Sequence, residues 1–135
     1  MIYTLTYVST AVNLFDNTEI NSVLNAVKEQ NKVLNISGFL VYKEGTYLQL
    51  LEGDKEVVSK LYEKIRSDER HKNVLTLQQS QVSQRVFDDY ESGFLVPNNT
   101  NLIFDLNSYL KYLRLLEDKE VNQIITIVES IYSKM

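Results

Sequence analysis

The segment TYLQLLEG, Thr46 to Gly53, constrains the fold of this chain more than any other. Read as a strand, its side chains alternate between faces. Leu48 and Leu50 then point one way, and Tyr47, Gln49 and Leu51 the other. A strand apolar on both faces is expected to be covered on both, so the sheet needs a layer above and a layer below. Ile2 to Ser9, rich in β-branched and aromatic residues, reads as another strand. Ile36 to Tyr42 pairs with Thr46 to Leu51 across the turn Lys43-Glu44-Gly45 as a hairpin. Asn73 to Val82 makes a fourth strand and the stretch near Tyr90 to Val96 a fifth. Two amphipathic helices intervene. The first is capped by Asn17 or Thr18, carries Ile20, Val23, Leu24 and Val27, and ends near Asn31. The second starts at Asp54 and carries Val57, Leu61 and Ile65.

The order βαββαββ is an α+β, ferredoxin-like arrangement with both helices on one face of a mixed sheet. Cover for the second face must come from beyond Pro97. Leu102, Ile103, Leu106, Leu110 and Leu113 share one helix stripe; Val121, Ile124, Ile125, Val128, Ile131 and Tyr132 share another. Residues 1–97 therefore read as the core and 98–135 as a helical cap of the same domain.

Composition narrows the chemistry. The 135 residues, with four glycines and one proline, suit one domain without a flexible linker. Cysteine is absent and His71 is the single histidine, which argues against disulfides, thiol catalysis, metal clusters and Ser-His-Asp chemistry. A net charge of −4 argues against direct nucleic-acid binding. With no basic, apolar leader and no long apolar run, the expectation is a cytoplasmic protein away from membranes. Nine tyrosines accompany no tryptophan, an imbalance that composition alone does not explain.

Three polar residues fall on faces that should be buried. Asn31 continues the first helix's apolar stripe four residues after Val27. Gln49 shares a strand face with Tyr47 and Leu51, and Tyr7 shares one with Tyr3 and Leu5. Taken singly, each would pair with backbone or sit as a satisfied core residue. Taken together, a phenol and two carboxamides converging between two helices suit a polar, planar guest.

These residues sit in a series of fragments: LTYVS (Leu5 to Ser9), Asn31 five residues before ISG (Ile36 to Gly38), FLVY (Phe39 to Tyr42), TYLQLLEG, VVSKLYEKI (Val57 to Ile65), SDERHKNV (Ser67 to Val74) and RVFDDYESGF (Arg85 to Phe94). In order and spacing they resemble the BLUF family, blue-light sensors that bind a flavin, over Met1 to about Leu95. The resemblance implies that two helices flank a flavin, FAD in the first instance and FMN as the alternative. It implies that Tyr7 donates an electron and a proton to the photoexcited flavin, that Gln49 bridges Tyr7 and the ring, and that Asn31 bonds the ring's carbonyl edge. Ile65 matches the position packed on the ring, and Asp68, Arg70 and His71 match the segment near the other carbonyl and the tail. For these last residues other uses stand beside the implied ones. Asp68 and Arg70 can pair with each other or cap the helix, and His71 suits a solvated turn. Glu52-Gly53 reads as turn geometry, with Gly53 allowing positive φ. The remaining tyrosines read as packing.

The chain departs from the family where a Phe-x-x-Trp-x-Met pattern is usual. Phe87 is kept, but Tyr90 stands for the tryptophan and Ser92 for the methionine, positions implicated in signal relay. An altered photocycle speed or red-shift size is therefore expected. The resemblance implies a sensor and not an enzyme, signalling to an effector protein by contact and forming homo-oligomers. The alternatives are a light-insensitive BLUF-like scaffold with a degenerate relay, and a small ferredoxin-like enzyme such as a monooxygenase or acylphosphatase. The enzyme is disfavoured because no positioned base, nucleophile or phosphate cradle is evident.

Overall fold

Strand β1 (Ile2–Ala11) lies at the centre of the sheet, between β3 (Thr46–Gly53) and β4 (His71–Val82), and β2 (Ser37–Lys43) flanks β3. These positions come from a computed structural model, which describes residues 1–13, 17–87 and 109–135. The order is β2-β3-β1-β4 and every described pairing is antiparallel. A mixed sheet was expected. In the described part each crossover instead skips one strand: helix α1 (Asn17–Val33) links β1 to β2 around β3, and α2 (Lys55–Arg66) links β3 to β4 around β1. This interleaving of two split βαβ units is the ferredoxin-like topology. The expected fifth strand, with Tyr90 and Ser92, lies outside the described residues, as do Leu102, Ile103 and Leu106.

Local chemistry sets the element ends. Glu44 (φ 49°) and Gly45 (φ 85°) form a two-residue hairpin turn with both central residues left-handed. The Asp54 carboxylate caps α2 by accepting from the backbone N–H groups of Glu56 and Val57. α1 runs two residues beyond Asn31 and ends in a Schellman motif. Asn35 is left-handed (φ 56°), its N–H donates to Lys32 O (3.1 Å), and the Ile36 N–H donates to Asn31 O (2.9 Å). That six-to-one bond is the physical content of the five-residue spacing between Asn31 and Ile36. It locks the last turn of α1 against the start of β2.

The sheet separates two cores, as the two-sided strand requires. Tyr3, Leu5, Tyr7, Tyr47 and Leu51 pack with Leu24 of α1 and with Val58, Leu61 and Tyr62 of α2. On the other face Phe39, Val41, Leu48 and Leu50 pack beneath Leu110 and Leu113 of a helical segment, 109–114, and beneath Val121, Ile124, Ile125 and Val128 of α3 (Lys119–Tyr132). Glycine is required for space at Gly38 and eases a tight approach at Gly53. A Cβ on Gly38 (φ 141°) would lie 1.9 Å from Leu50 O, and one on Gly53 would lie 3.2 Å from Asn35 O. Gly53 does not adopt positive φ, contrary to expectation. Its need is close approach of α1's end.

Candidate functional site

A cleft of about 180 Å3 opens between α1, α2 and the sheet. It is lined by every residue the resemblance marked for the cofactor: Tyr7, Asn31, Gln49, Ile65, Asp68, Arg70 and His71. Sheet register brings the central pair together. Tyr7 of β1 lies directly opposite Gln49 of β3, and side chains at such positions share a face within contact distance. The Tyr7 hydroxyl donates to Gln49 Oε1. Both residues are buried, as is Asn31.

Two donors in this cleft have no partner. Asn31 Nδ2 and Gln49 Nε2 are buried without a hydrogen bond. Each such group costs about 1–3 kcal/mol, so the arrangement asks for acceptor atoms from a guest. A flavin ring, whose edge carries carbonyl oxygens and ring nitrogens, fits that donor set. Val23, Val27, Leu40 and Leu61 supply apolar walls suited to a flat ring. The volume lies below the roughly 300 Å3 at which pockets for whole drug-sized ligands begin, so the cleft suits part of such a ligand and not the whole. Gln30, Lys64 and Arg70 are exposed there.

Burial pushes the Tyr7 phenol far above its ordinary value, with Tyr62 and then Tyr47 adding to the effect. Tyr7 therefore stays protonated. Tyr62 packs on it with ring centroids 5.4 Å apart and hydrogen-bonds Thr76 Oγ1. Tyr47, expected to be packing alone, also lines the cleft. Its phenol is pushed up to about 12, chiefly by burial, and its ring lies 4.8 Å from that of His71.

His71 corrects the solvated-turn expectation. It begins β4, is half-buried, and holds Ser9 Oγ at 2.9 Å from Nδ1. Burial lowers its pKa. Asp68 and Arg70 do pair: Asp68 Oδ2 accepts from Arg70 Nη2 at 2.6 Å, and Oδ1 accepts from Nε at 3.0 Å and from the Arg70 backbone N–H at 2.9 Å. These bonds hold the Asp68 carboxyl at about 2. The pair still lines the cleft, so the two readings of these residues coexist. Lys64 and Gln30 were not singled out as contacts. The available signal was spacing, since Lys64 lies one turn beyond Leu61 on α2 and Gln30 precedes Asn31.

Glu52 is no turn residue. It is buried beneath the C-terminal layer, and its carboxylate accepts from Ser37 Oγ (2.8 Å) and from the backbone N–H groups of Val86 (2.9 Å) and Phe87 (2.6 Å). Among the described residues no His, Asp and Glu group is arranged to hold a metal, and no helix is long and apolar enough to cross a membrane.

Fold and cleft together define an α+β protein with a ring-sized polar slot between two helices. The family model described as sensors of blue-light using FAD matches residues 2–93. The chain belongs to the BLUF family. It is 34% identical over 84 residues to the photoactivated adenylate cyclase subunit beta of Euglena longa, covering 62% of this chain and 10% of that protein. It is 37% identical over 86 residues to the subunit alpha of Euglena gracilis, covering 64% and 8% respectively. The chain thus spans about a tenth of the length of these curated relatives. Among solved structures, a bacterial light-regulated adenylyl cyclase superposes with a TM-score of 0.65 at 31% identity, over 87% of this chain and 36% of that one. BlsA in its photo-activated state gives 0.63 at 27% identity, over 93% and 91%.

Proposed function

We propose that this chain is a blue-light sensor that binds FAD between α1 and α2, with FMN as the alternative, and that Tyr7 and Gln49 form its switch. The observation that carries this reading is the buried Tyr7–Gln49 hydrogen bond beside two unpartnered carboxamide donors. When bound, the flavin supplies light absorption and accepts one electron and one proton. Tyr7 cannot release its proton to water from a buried site, so the proton leaves toward Gln49 Oε1 as the electron leaves the Tyr7 phenol for the flavin. Gln49 has a donor end and an acceptor end of nearly equal shape. Return of electron and proton to Tyr7 leaves Gln49's hydrogen bonds rearranged, which gives one pocket two metastable states. Asn31 would hold the ring through its unpartnered Nδ2 and Ile65 would pack on it, while Asp68, Arg70 and His71 would hold the rest of the group.

Residues 1–97 act in this reading as the sensing core and 98–135 as its helical cap. Output is contact with an effector protein in the cytoplasm, with assembly into homo-oligomers. Tyr90 and Ser92 alter the relay and not the binding.

The test is a difference spectrum of flavin-loaded protein under blue light. A reversible red shift that Tyr7→Phe abolishes while retaining the flavin supports the switch; Gln49→Leu should also lack the shift. A yellow protein that never shifts would establish the light-insensitive scaffold instead.

A further inference from the structure

The buried carboxylate of Glu52 takes no part in the switch, yet it lies three residues after Gln49 on the same strand and on the opposite face. Its oxygens accept the backbone N–H groups of Val86 and Phe87 together with Ser37 Oγ. Arg85 closes the ring of contacts, with Nη1 donating to Ser37 Oγ (2.8 Å) and to Glu52 O (3.2 Å), and Nη2 to Asn35 O (2.7 Å). The chain leaving β4 is thereby tied to the ends of β3, β2 and α1 at once. The tie extends to the C-terminal layer. Val86 O accepts from the Tyr109 hydroxyl (2.6 Å), and the Phe87 ring lies 5.3 Å from Phe39 and 5.5 Å from Tyr109.

From this connectivity we infer that Glu52 is a positioning residue, a clasp that couples the cleft strand β3 to residues 85–87 and through them to the helices at 109–132. Physical reasons favour a carboxylate here. A neutral side chain accepts fewer bonds, whereas an ionised one has about four lone-pair sites and takes two backbone donors plus a hydroxyl. The Arg85 guanidinium, reaching the same cluster through Ser37, offsets the buried charge. Because β3 carries Gln49 on one face and Glu52 on the other, a displacement of the strand at the cleft reaches 85–87 without crossing the apolar core. Coupling of this kind needs an element with two arrangements that both sites bias, a role the clasp assigns to β3. This inference rests on the proposed light switch for its purpose, but the clasp itself is readable in the dark.

The experiment is hydrogen–deuterium exchange on the full, flavin-loaded chain, in the dark and under blue light, for wild type, Glu52→Gln and Tyr109→Phe. Glutamine keeps the shape but turns an N–H donor toward backbone donors. In Glu52→Gln, the dark exchange of peptides covering 85–87 and 109–132 should rise at least tenfold. Exchange in α1 and α2 should stay unchanged and the absorption spectrum should be retained. Blue light should change exchange over 109–132 in wild type and no longer do so in this variant. Tyr109→Phe should lose that light response while leaving 85–87 protected. Dark exchange at 85–87 unchanged in Glu52→Gln, or raised equally in α1 and α2, would overturn the clasp, and so would a preserved light response in both variants. Failure of the light switch is seen separately, as a wild-type spectrum that does not shift.

Discussion

The two faces of the sheet share their strands but solve opposite problems. On the cleft face Tyr7, Asn31 and Gln49 surround a cavity and leave two buried donors unpartnered. On the other face the strands' buried polar groups are satisfied, and the unpartnered buried atoms, Asn122 Oδ1 and Tyr132 Oη, belong to the covering helix α3 and not to the sheet. Gln78 Nε2 donates to Thr6 Oγ1 (2.9 Å) and Thr4 Oγ1 (3.3 Å), and Ser37 and Glu52 bond each other and the chain after β4. The enclosed space at the centre of that layer is about 10 Å3, too little for more than one water. A groove of about 640 Å3 lies at its edge, between Ile2, Val82 and Arg85 on one side and Tyr109, Tyr112 and Leu116 on the other. The difference shows where each face spends stability. An unsatisfied cleft costs the ligand-free fold and is repaired by a guest, whereas the sealed face holds the scaffold that makes the cleft possible.

The sharpest way to break this comparison is to open the sealed side. Gly38→Ala would set a Cβ against Leu50 O at 1.9 Å on a left-handed backbone. It should destabilise the protein by more than about 4 kcal/mol, read as loss of the cooperative urea transition. Glu52→Ala leaves the buried Phe87 N–H and the half-buried Val86 N–H without an acceptor and should cost about 3 kcal/mol, at about 1–3 kcal/mol for each stranded group. Chemical denaturation would register it as a lower midpoint.

The cleft face should answer with opposite signs. Asn31→Leu removes an orphaned donor, so the flavin-free protein should be stabilised by about 1 kcal/mol. Flavin affinity should fall roughly tenfold, equivalent to about 1.4 kcal/mol. Thermal melts with and without flavin, together with a titration, check both arms. Loss of stability in the flavin-free variant would show that Asn31 is already satisfied.

Acidification also separates the faces. Burial lowers the His71 pKa, so the unfolded chain takes up a proton first. The contribution of neutral His71 is present above the ordinary value near 6.5 and is lost as pH falls through the lower folded value. Glu52 shifts the other way, raised by burial against the lowering effect of its donors. Its shift favours the fold below the ordinary carboxyl value, and that contribution is lost as pH rises through the folded pKa. Replacing His71 with Gln should shrink the loss of melting temperature between pH 7 and pH 5.5. The smallest effect belongs to Asp68→Asn. Its partner Arg70 is 60% exposed, and solvent-exposed pairs contribute about 1 kcal/mol or less. A larger change in the denaturation midpoint would mean that the pair is integral to the cleft wall.

The site was legible in unequal parts. Tyr7, Asn31 and Gln49 stood out because each is a polar residue on an otherwise apolar stripe, a conflict visible without coordinates. His71 was misread as a solvated turn because its role depends on which strands adjoin, while Tyr47, read as packing, does pack in the core and lines the cleft as well. His71 meets Ser9 and Tyr47 only once β4 and β3 flank β1. Glu52 was hidden for the same reason. An acidic residue before a glycine looks like a turn until the chain thirty-odd residues later folds back to donate to it.

By itself the sequence determined that the sheet would be covered on both faces, since Thr46 to Gly53 alternates apolar side chains to either side. It also determined where α2 begins, because capping at Asp54 is a local choice, whereas the end of α1 lies at Val33, two residues past the expected Asn31. Only the tertiary structure decided that Tyr7 faces Gln49, that two carboxamides are left without partners, and that Glu52 finds backbone donors from beyond β4. Strand register and long-range approach are cooperative properties of the assembled sheet. A shift of a single residue would turn each of these side chains to the opposite face.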